Sequence, residues 1–469
     1  MKSGLNYKLS ELAQLKIHFI GIGGAGMSGI ARIMLAKGFS ISGSDKNDSS
    51  MLTALRALGA KIYLGHAAEN LADAQLVIVS SAITENNPEF AEAKNRGIPI
   101  AARAVALAWL MSESTSVAVA GTHGKTTTTA MLTVALQSAG LDPSFAIGGT
   151  INTAGINAHS GSGSIFVAEA DESDGSFLAY KPTGAIVTNV ELEHVDHFAD
   201  EAAVFAVFED FIASIKDGGF LVACGDDPGV KTLLSRITRS DLKIHLYGKG
   251  SNNDFRIDQI NLAPNSSRAI ISISGRKVGE LNLTVVGEHN LLNALAAFAA
   301  ATAMGGSEEK LLAGLKAFTG TRRRFELKGE VGGVKVIDDY GHHPTEVVVT
   351  LKAARNLAGA GRVIVIFQPH RYSRTAAFAS QFSNSLALAD FTYLLEVYAA
   401  SEKPIPGVSS LLIARGMKTE QVKFEPSMLQ VVSDVVEMAK SGDLILTLGA
   451  GDVSSLGDPI LQALATRFA

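Results

Sequence analysis

Apolar residues in this chain follow two alternating patterns, short runs of aliphatic residues and longer stretches with helical spacing. In the first hundred residues Ile17–Ile20, Ser40–Gly43, Lys61–Leu64, Leu76–Ser80 and Ile98–Ala101 read as strands, and Met27–Leu35, Met51–Leu58 and Pro88–Arg96 as helices between them. Strands and helices in alternation predict largely parallel sheets covered by helices. The pattern breaks near Met111–Thr115 and resumes with strands at Ser116–Ala120, Ile165–Ala168, Ala185–Asn189 and Phe220–Cys224. Between 253 and 286 apolar and polar residues alternate about Gly275, the mark of antiparallel strands added to a parallel core. From about 320 a third set follows: Val334–Asp338, Val363–Phe367, Phe391–Leu395 and Leu444–Leu448. No internal repeat is visible, and the Gly/Ser patch Ser160–Ser164 reads as a loop.

A chain of 469 residues is too long for one core, and about 150 residues per domain suggests three. The expected units are 1–111, 112–318 and 319–469. The fold class is α/β: a Rossmann-like N-terminal domain, a P-loop ATPase-like central domain with a mostly parallel sheet, and a Rossmann-like C-terminal domain. Composition is that of a globular protein, 47% hydrophobic and 19% charged with mean hydropathy +0.22. The net charge of −5 lacks the basic surplus of a sequence-independent nucleic-acid binder. The longest apolar stretch, Leu291–Met304, is too short to span a bilayer and reads as a buried helix. A lone cysteine, Cys224, forms no internal disulfide, and the polar N-terminus is unlike a signal peptide. A cytoplasmic location is expected, with no nucleic-acid partner and no membrane insertion; monomer and homodimer both fit.

The strongest chemical signal is Gly121-Thr122-His123-Gly124-Lys125-Thr126-Thr127. An apolar strand enters a glycine-bounded turn, and Lys125 opens a helix, so backbone N–H groups converge on one anion site. Lys125 would sit on β/γ-phosphates, with the Thr126 or Thr127 hydroxyl on Mg²⁺. Against the general G-x-x-x-x-G-K-[ST] spacing, Val119 replaces the first glycine and the loop is compressed. Nucleoside triphosphate binding is predicted.

A second glycine loop, Gly21-Ile22-Gly23-Gly24-Ala25-Gly26, has Asp45 19 positions beyond it. This satisfies the dinucleotide fingerprint, though a UDP-sugar offers the same diphosphate and ribose, and glycines also permit close strand–helix packing. Glu169, Asp171, Glu172 and Asp174 cluster where a strand ends, an arrangement suited to Mg²⁺, with Glu169 the best ligand. His194 or His197 is a further metal candidate. Asn290 and Asn293 share one face of a helical first turn and can address a purine. Arg322–Arg324 form a basic run at the last junction, where Arg324 could reach a γ-phosphate on closure. Beyond it, Asp338–Pro344 and Gln368–Arg374 gather polar groups at strand ends, and Arg371 with Arg374 could clamp a carboxylate.

Taken together and in order, these motifs resemble the Mur ligases of peptidoglycan synthesis over essentially the whole chain. The resemblance implies an ATP-dependent carboxylate–amine ligase, and within the family the branch joining L-alanine to UDP-N-acetylmuramate. It implies Gly23, Gly24, Ala25 and Gly26 on the UDP diphosphate, with Ser44 and Asp45 near its ribose–uracil end. It implies ATP held by Gly121–Thr127, Asn290, Asn293, Arg324 and Asp339. Mg²⁺ would lie on Thr126, Glu169 and His194, and Lys125, Glu169, His194 and Arg324 would be catalytic. Tyr340, His342, His370, Arg371 and Arg374 would receive the amino acid. The base remains open between His194, His342 and the metal environment. Two rival readings are an oxidoreductase built on Gly21–Asp45 and a nucleotide-dependent switch.

Overall fold

In the computed structural model, residues 7–80, 82–172, 175–193, 198 and 200–468 are described. Three sheets carry the chain. The first comprises β1 (Lys16–Ile20), β2 (Ser40–Asp45), β3 (Lys61–Leu64), β4 (Leu76–Val79) and β5 (Ile100–Ala102), all parallel in the order β3-β2-β1-β4-β5. The strand order reverses beside β1, and the Gly21–Gly26 loop leaves β1 at that switch point, where α/β sheets bind ligands.

The second sheet holds β6 (Thr115–Ala120), β7 (Ser144–Ala146), β8 (Ala158–His159), β9 (Ile165–Glu169), β10 (Gly184–Val187), β11 (Phe220–Cys224), β12 (Lys243–Gly248), β13 (Phe255–Ala263), β14 (Ser266–Ile273) and β15 (Arg276–Leu283). Its order is β15-β14-β13-β12-β11-β10-β6-β9-β7-β8. The run from β12 to β9 is parallel, and β13–β15 form the antiparallel addition expected from the alternating sequence. Ser274 and Gly275 turn β14 into β15 with φ of 48° and 84°, the left-handed pair of a two-residue hairpin.

The third sheet has β16 (Glu326–Val331), β17 (Val334–Asp339), β18 (Val363–Phe367), β19 (Phe391–Leu394), β20 (Val422–Phe424) and β21 (Leu444–Leu448), in the order β16-β17-β21-β18-β19-β20. Only β16 runs antiparallel, on β17. The α/β class with three largely parallel sheets therefore holds. Several elements escape the apolar-run reading, among them the short strands β7 and β8 and strand β12. Polar ELKGEV forms edge strand β16, β20 is very short, and Arg103–Ser112 is a helix. The run Ala185–Asn189 also ends early as a strand, at Val187, because Thr188 and Asn189 turn aside to brace the phosphate loop.

The cores show how the units are joined. Apolar side chains of the first and second sheets merge into one continuous buried cluster. The third sheet has its own clusters, one on each face. Its contacts with the second unit include hydrogen bonds and ion pairs, such as Thr345–Glu191, Arg374–Glu193 and Asn356 to the Leu262 and Ala263 carbonyls. A unit docked through polar contacts is free to move relative to its neighbour. Among the described residues no helix is long and apolar enough to cross a membrane.

The Ala-rich segment is the buried helix Glu288–Ala303, packed against the phosphate-loop helix Lys125–Ser138. Asn293 approaches Gly124 at the start of that helix, and Ala297, one turn on, shares its face. Small side chains there allow the two helices to lie close. Ala297→Leu should destabilise the protein by roughly 1–3 kcal/mol through overpacking, measured by urea unfolding.

Candidate active site

The phosphate loop is shaped by what crowds it. Gly121 has φ of 128°, and a Cβ there would lie 2.0 Å from Thr188 Oγ1. Gly124 has φ of 82°, and its Cβ would meet Asn293 Oδ1 at 2.7 Å. Both positions demand glycine on conformation and on space. Val119, in place of the usual first glycine, is fully buried in β6, so the turn begins only after the strand ends. The His123 amide donates to Asn189 Oδ1 at 2.8 Å, and its carbonyl accepts from Thr188 Oγ1 at 2.6 Å. Thr122 and Glu191 exchange hydrogen bonds through the Thr122 hydroxyl.

Lys125 folds back over this loop. Its ammonium donates to the Gly121 and Thr122 carbonyls at 2.7 and 3.0 Å and to Glu172 Oε1 at 2.9 Å. Burial opposes the charge, but Glu172, Asp171 and Glu193 outweigh it and raise the lysine pKa. For Glu172 burial wins over the ammonium and pushes the carboxyl up to about 7. Beside them the Thr126 hydroxyl donates to Glu169 Oε1 at 2.9 Å, and the Gly148 amide donates to Glu169 Oε2 at 2.6 Å. Two oxygen donors expected around Mg²⁺ thus stand side by side. His194, the third expected ligand, and its alternative His197 lie outside the described residues.

Two cavities meet at the loop. One of about 320 Å³ is lined by Asn290, Asn293, Asp339 and Thr127. The other, about 790 Å³, is lined by Lys125, Thr126, Glu169, Tyr340 and His342. His123, Gly124, Arg324 and Glu346 border both. Asn290 and Asn293 do face the same side, with Asn293 Nδ2 donating to Asn290 Oδ1 at 3.3 Å. Arg324 donates to Thr126 Oγ1 at 3.4 Å and lies 3.7 Å from Glu346, so it reaches the loop as expected. Asp339 is buried and accepts from the Phe325 and Gly341 amides and the Thr350 hydroxyl. Burial raises its pKa against the opposing pull of Arg324.

The amino-acid candidates divide. Tyr340 lies under Arg323 and Arg324, whose guanidinium carbons stand 4.9 and 5.1 Å from its ring centre. His342 Nε2 is 3.1 Å from Glu193 Oε1, and Arg374 Nη2 donates to that same oxygen at 3.2 Å. Arg374 Nη1 donates to His370 Nδ1 at 3.2 Å. Burial holds the His370 pKa down to about 3, so its ring is neutral. Arg374 is therefore buried in an ion pair with Glu193, not a free cation. Arg371 caps the next helix with φ of 71°.

On the first sheet Gly23 donates its amide to Asp45 Oδ2 at 2.9 Å. Ser44, expected near the ribose–uracil end, is fully buried, and its hydroxyl donates to Glu89 Oε2 at 2.5 Å. It supports the site from beneath, while Asp45 is the partly exposed neighbour. A small cavity joins Ala25 and Gly26 to Glu169 and Asp171, with Arg103 on its wall. A Cβ on Gly26 would lie 2.8 Å from Arg103 Nη1, which puts a cation at the first glycine loop. Sequence reading missed Arg103, and also His289, Glu191, Glu193 and Glu346 around the loop. Arg103 follows a β-strand directly, a usable signal; the glutamates stand in loops or on a helix and carry none.

His123 is gripped by carboxylates from two units: Nε2 lies 2.5 Å from Glu191 Oε1, and Nδ1 3.3 Å from Glu346 Oε1. Burial opposes its charge, but the two glutamates raise its pKa to about 10. A raised folded pKa stabilises fully below the unfolded value near 6.5, and the benefit fades as pH climbs toward 10. His123→Gln should therefore cost roughly 2–4 kcal/mol near pH 6, with the gap closing near pH 10, read from urea unfolding at both pH values.

Comparisons with known proteins agree with this layout. Three family profiles match in order: Mur ligase family, catalytic domain, at residues 16–115; Mur ligase middle domain at 119–301; and Mur ligase, glutamate ligase domain, at 323–451. The chain is 49% identical to the UDP-N-acetylmuramate–L-alanine ligase of Renibacterium salmoninarum, over 98% of each chain. It is also 49% identical to that of Acidothermus cellulolyticus, over 97% of this chain and 96% of the relative. Among solved structures it is similar to the UDP-N-acetylmuramate-alanine ligase MurC of Thermotoga maritima, with TM-score 0.81 and 27% identity, covering 97% and 100% of the two chains. A murein peptide ligase of Psychrobacter arcticus follows at TM-score 0.71 and 27% identity, covering 96% and 99%. Matched along all three units in the order its sheets take, the chain belongs to the Mur ligase family.

Proposed function

We propose that this chain joins L-alanine to the lactyl carboxylate of UDP-N-acetylmuramate, with ATP converted to ADP and phosphate, as a cytoplasmic step of peptidoglycan precursor synthesis. One observation carries the reading. The 790 Å³ cleft collects the phosphate loop, Glu169, Arg324 and His342 around one space, next to the cavity that ends at the first glycine loop. A sugar nucleotide, a triphosphate and an amino acid then each enter from a different unit, residues 1–111, 112–318 and 319–469. The L-alanine ligases 49% identical to this chain support the choice of substrates.

Gly23–Gly26, Asp45 and Arg103 receive the UDP diphosphate and ribose. Asn290, Asn293 and Asp339 line the pocket for adenosine, and the loop amides with Lys125 hold the phosphates. The Thr126 and Glu169 oxygens fit Mg²⁺, a hard ion that takes oxygen ligands and would neutralise phosphate charge there. A carboxylate does not condense with an amine unaided, because oxide is a poor leaving group. The lactyl carboxylate oxygen attacks the γ-phosphorus, the bond to the β-bridging oxygen breaks, and ADP leaves an acyl phosphate. Lys125 and Arg324 stabilise the charge spreading over the transferring group. The alanine amine next attacks the acyl carbon, the C–O bond to phosphate breaks, and one proton must leave the nitrogen. His342 and Glu193, 3.1 Å apart on the cleft wall, are placed to take it. Docking of the third unit over the cleft keeps water from the acyl phosphate.

ADP release should require UDP-N-acetylmuramate and L-alanine together; release with neither would indicate a plain ATPase, and a nicotinamide absorbance change an oxidoreductase. In the same assay Lys125→Ala should lower turnover by about two orders of magnitude or more with the fold retained, and near-normal activity there would remove the loop from the mechanism. Arg374→Ala should raise the KM for L-alanine roughly tenfold or more while changing kcat less. An unchanged KM would move the carboxylate site elsewhere.

A further inference from the structure

We propose that His123, Glu191 and His343 form a binding site for a zinc-class divalent ion on the seam between the phosphate loop and the third unit. One donor atom from each lies within 4.8 Å of the other two. The imidazole rings of His123 and His343 stand 4.9 Å apart at their centres, and His123 Nε2 already touches Glu191 Oε1 at 2.5 Å. His343 is only 4% exposed, and its Nε2 has no hydrogen-bond partner among the described residues. A buried nitrogen left without a partner is costly, and a metal ion is a group that relieves it.

The donor set selects the ion. Two imidazoles and a carboxylate with one open position are the ligands of zinc, whereas Mg²⁺ prefers oxygen donors such as the Thr126–Glu169 pair. Bonds of about 2.0–2.1 Å place tetrahedral donors about 3.3 Å apart, so the His123–Glu191 pair opens by somewhat under an ångström while the widest separation closes by up to about 1.5 Å. The outer contacts are in place. Glu346 Oε1 sits 3.3 Å from His123 Nδ1, giving a carboxylate–histidine pair with Nε2 turned to the ion. Thr345 Oγ1 donates to Glu191 Oε2 at 3.1 Å, leaving Oε1 to ligate. Proton movement balances. His123 gives its Nε2 proton to solvent, and the His343 proton moves from Nε2 to Nδ1, breaking a long 3.4 Å contact from the Thr345 amide. One proton is released per ion. Because His123 and Glu191 belong to the second unit and His343 to the third, the bound ion pins the docked arrangement and slows turnover.

The test is calorimetric titration of the metal-stripped full chain with Zn²⁺ under saturating Mg²⁺, in two buffers of different ionisation enthalpy. One equivalent should bind with about one proton released, and Co²⁺ should show visible bands of four-coordinate geometry. His343→Asn keeps an acceptor for the Thr345 amide, and both it and Glu191→Gln should weaken Zn²⁺ binding roughly tenfold or more and abolish the Co²⁺ bands. Absent binding, or binding undiminished in whichever variant retains the wild-type melting profile, overturns the proposal. Neither outcome depends on the substrates turned over.

Discussion

The phosphate loop concentrates cations in a place where water is largely excluded, and the surrounding architecture answers that charge. Lys125, His123 and Arg324 meet Glu172, Glu191, Glu193 and Glu346 within a few side-chain lengths. Buried charges are tolerated only when paired and hydrogen-bonded, and the carboxylates around the loop supply those partners. Glu172 shows the balance most sharply: burial pushes its carboxyl up to about 7 even though the Lys125 ammonium beside it pulls the other way. The same logic explains why Glu346, despite burial, is held well below the ordinary carboxylate range by His342, His123 and Arg324.

Compensation of that charge reaches across the polar seam between the second and third units. The first two units share a hydrophobic cluster, whereas the third brings its own and touches the loop through ions and amides. Its attachment passes through Arg323 and Phe325, non-glycine residues with φ of 60° and 52°. Such backbone persists only where the surroundings enforce it, here the Glu326 and Asp339 carboxylates that accept the two amides. A joint held by side-chain acceptors, with ion pairs on either side, can release and re-form as ligands come and go. A shared apolar core could not.

How much of this was legible in the sequence follows from which forces leave a local trace. Buried parallel strands read clearly, because β18 and β21 are apolar nearly throughout. Edge strand β16 was invisible because its polar side chains are partly exposed and its pairing is set by the neighbouring strand and by the Gly332–Gly333 turn. The loop residues Gly121–Thr127 and Glu169 were found because chemistry fixes their spacing. Ser44 was expected at the ligand by the resemblance to the family, yet strand alternation turns its hydroxyl inward to Glu89 while Asp45 faces the glycine loop. Glu193 and Glu346 left no signal: one glutamate in a loop and one on a helix are ordinary until folding carries them from 153 residues apart to the same histidine.

The compressed loop ties these observations together. With Val119 kept inside β6, the backbone turns within Gly121–Gly124 and has no slack to wrap a phosphate unaided. Thr188 and Asn189 fix it from one side, and Asn293, on an alanine-rich helix that can come close, limits it from the other. The two cavities on this short loop are bordered by His123 and Gly124 from the second unit and by Arg324 and Glu346 from the third. A compressed turn supplies only one side of such a space, so its walls are complete only where the third unit docks, and whatever the loop holds is tied to the position of that unit.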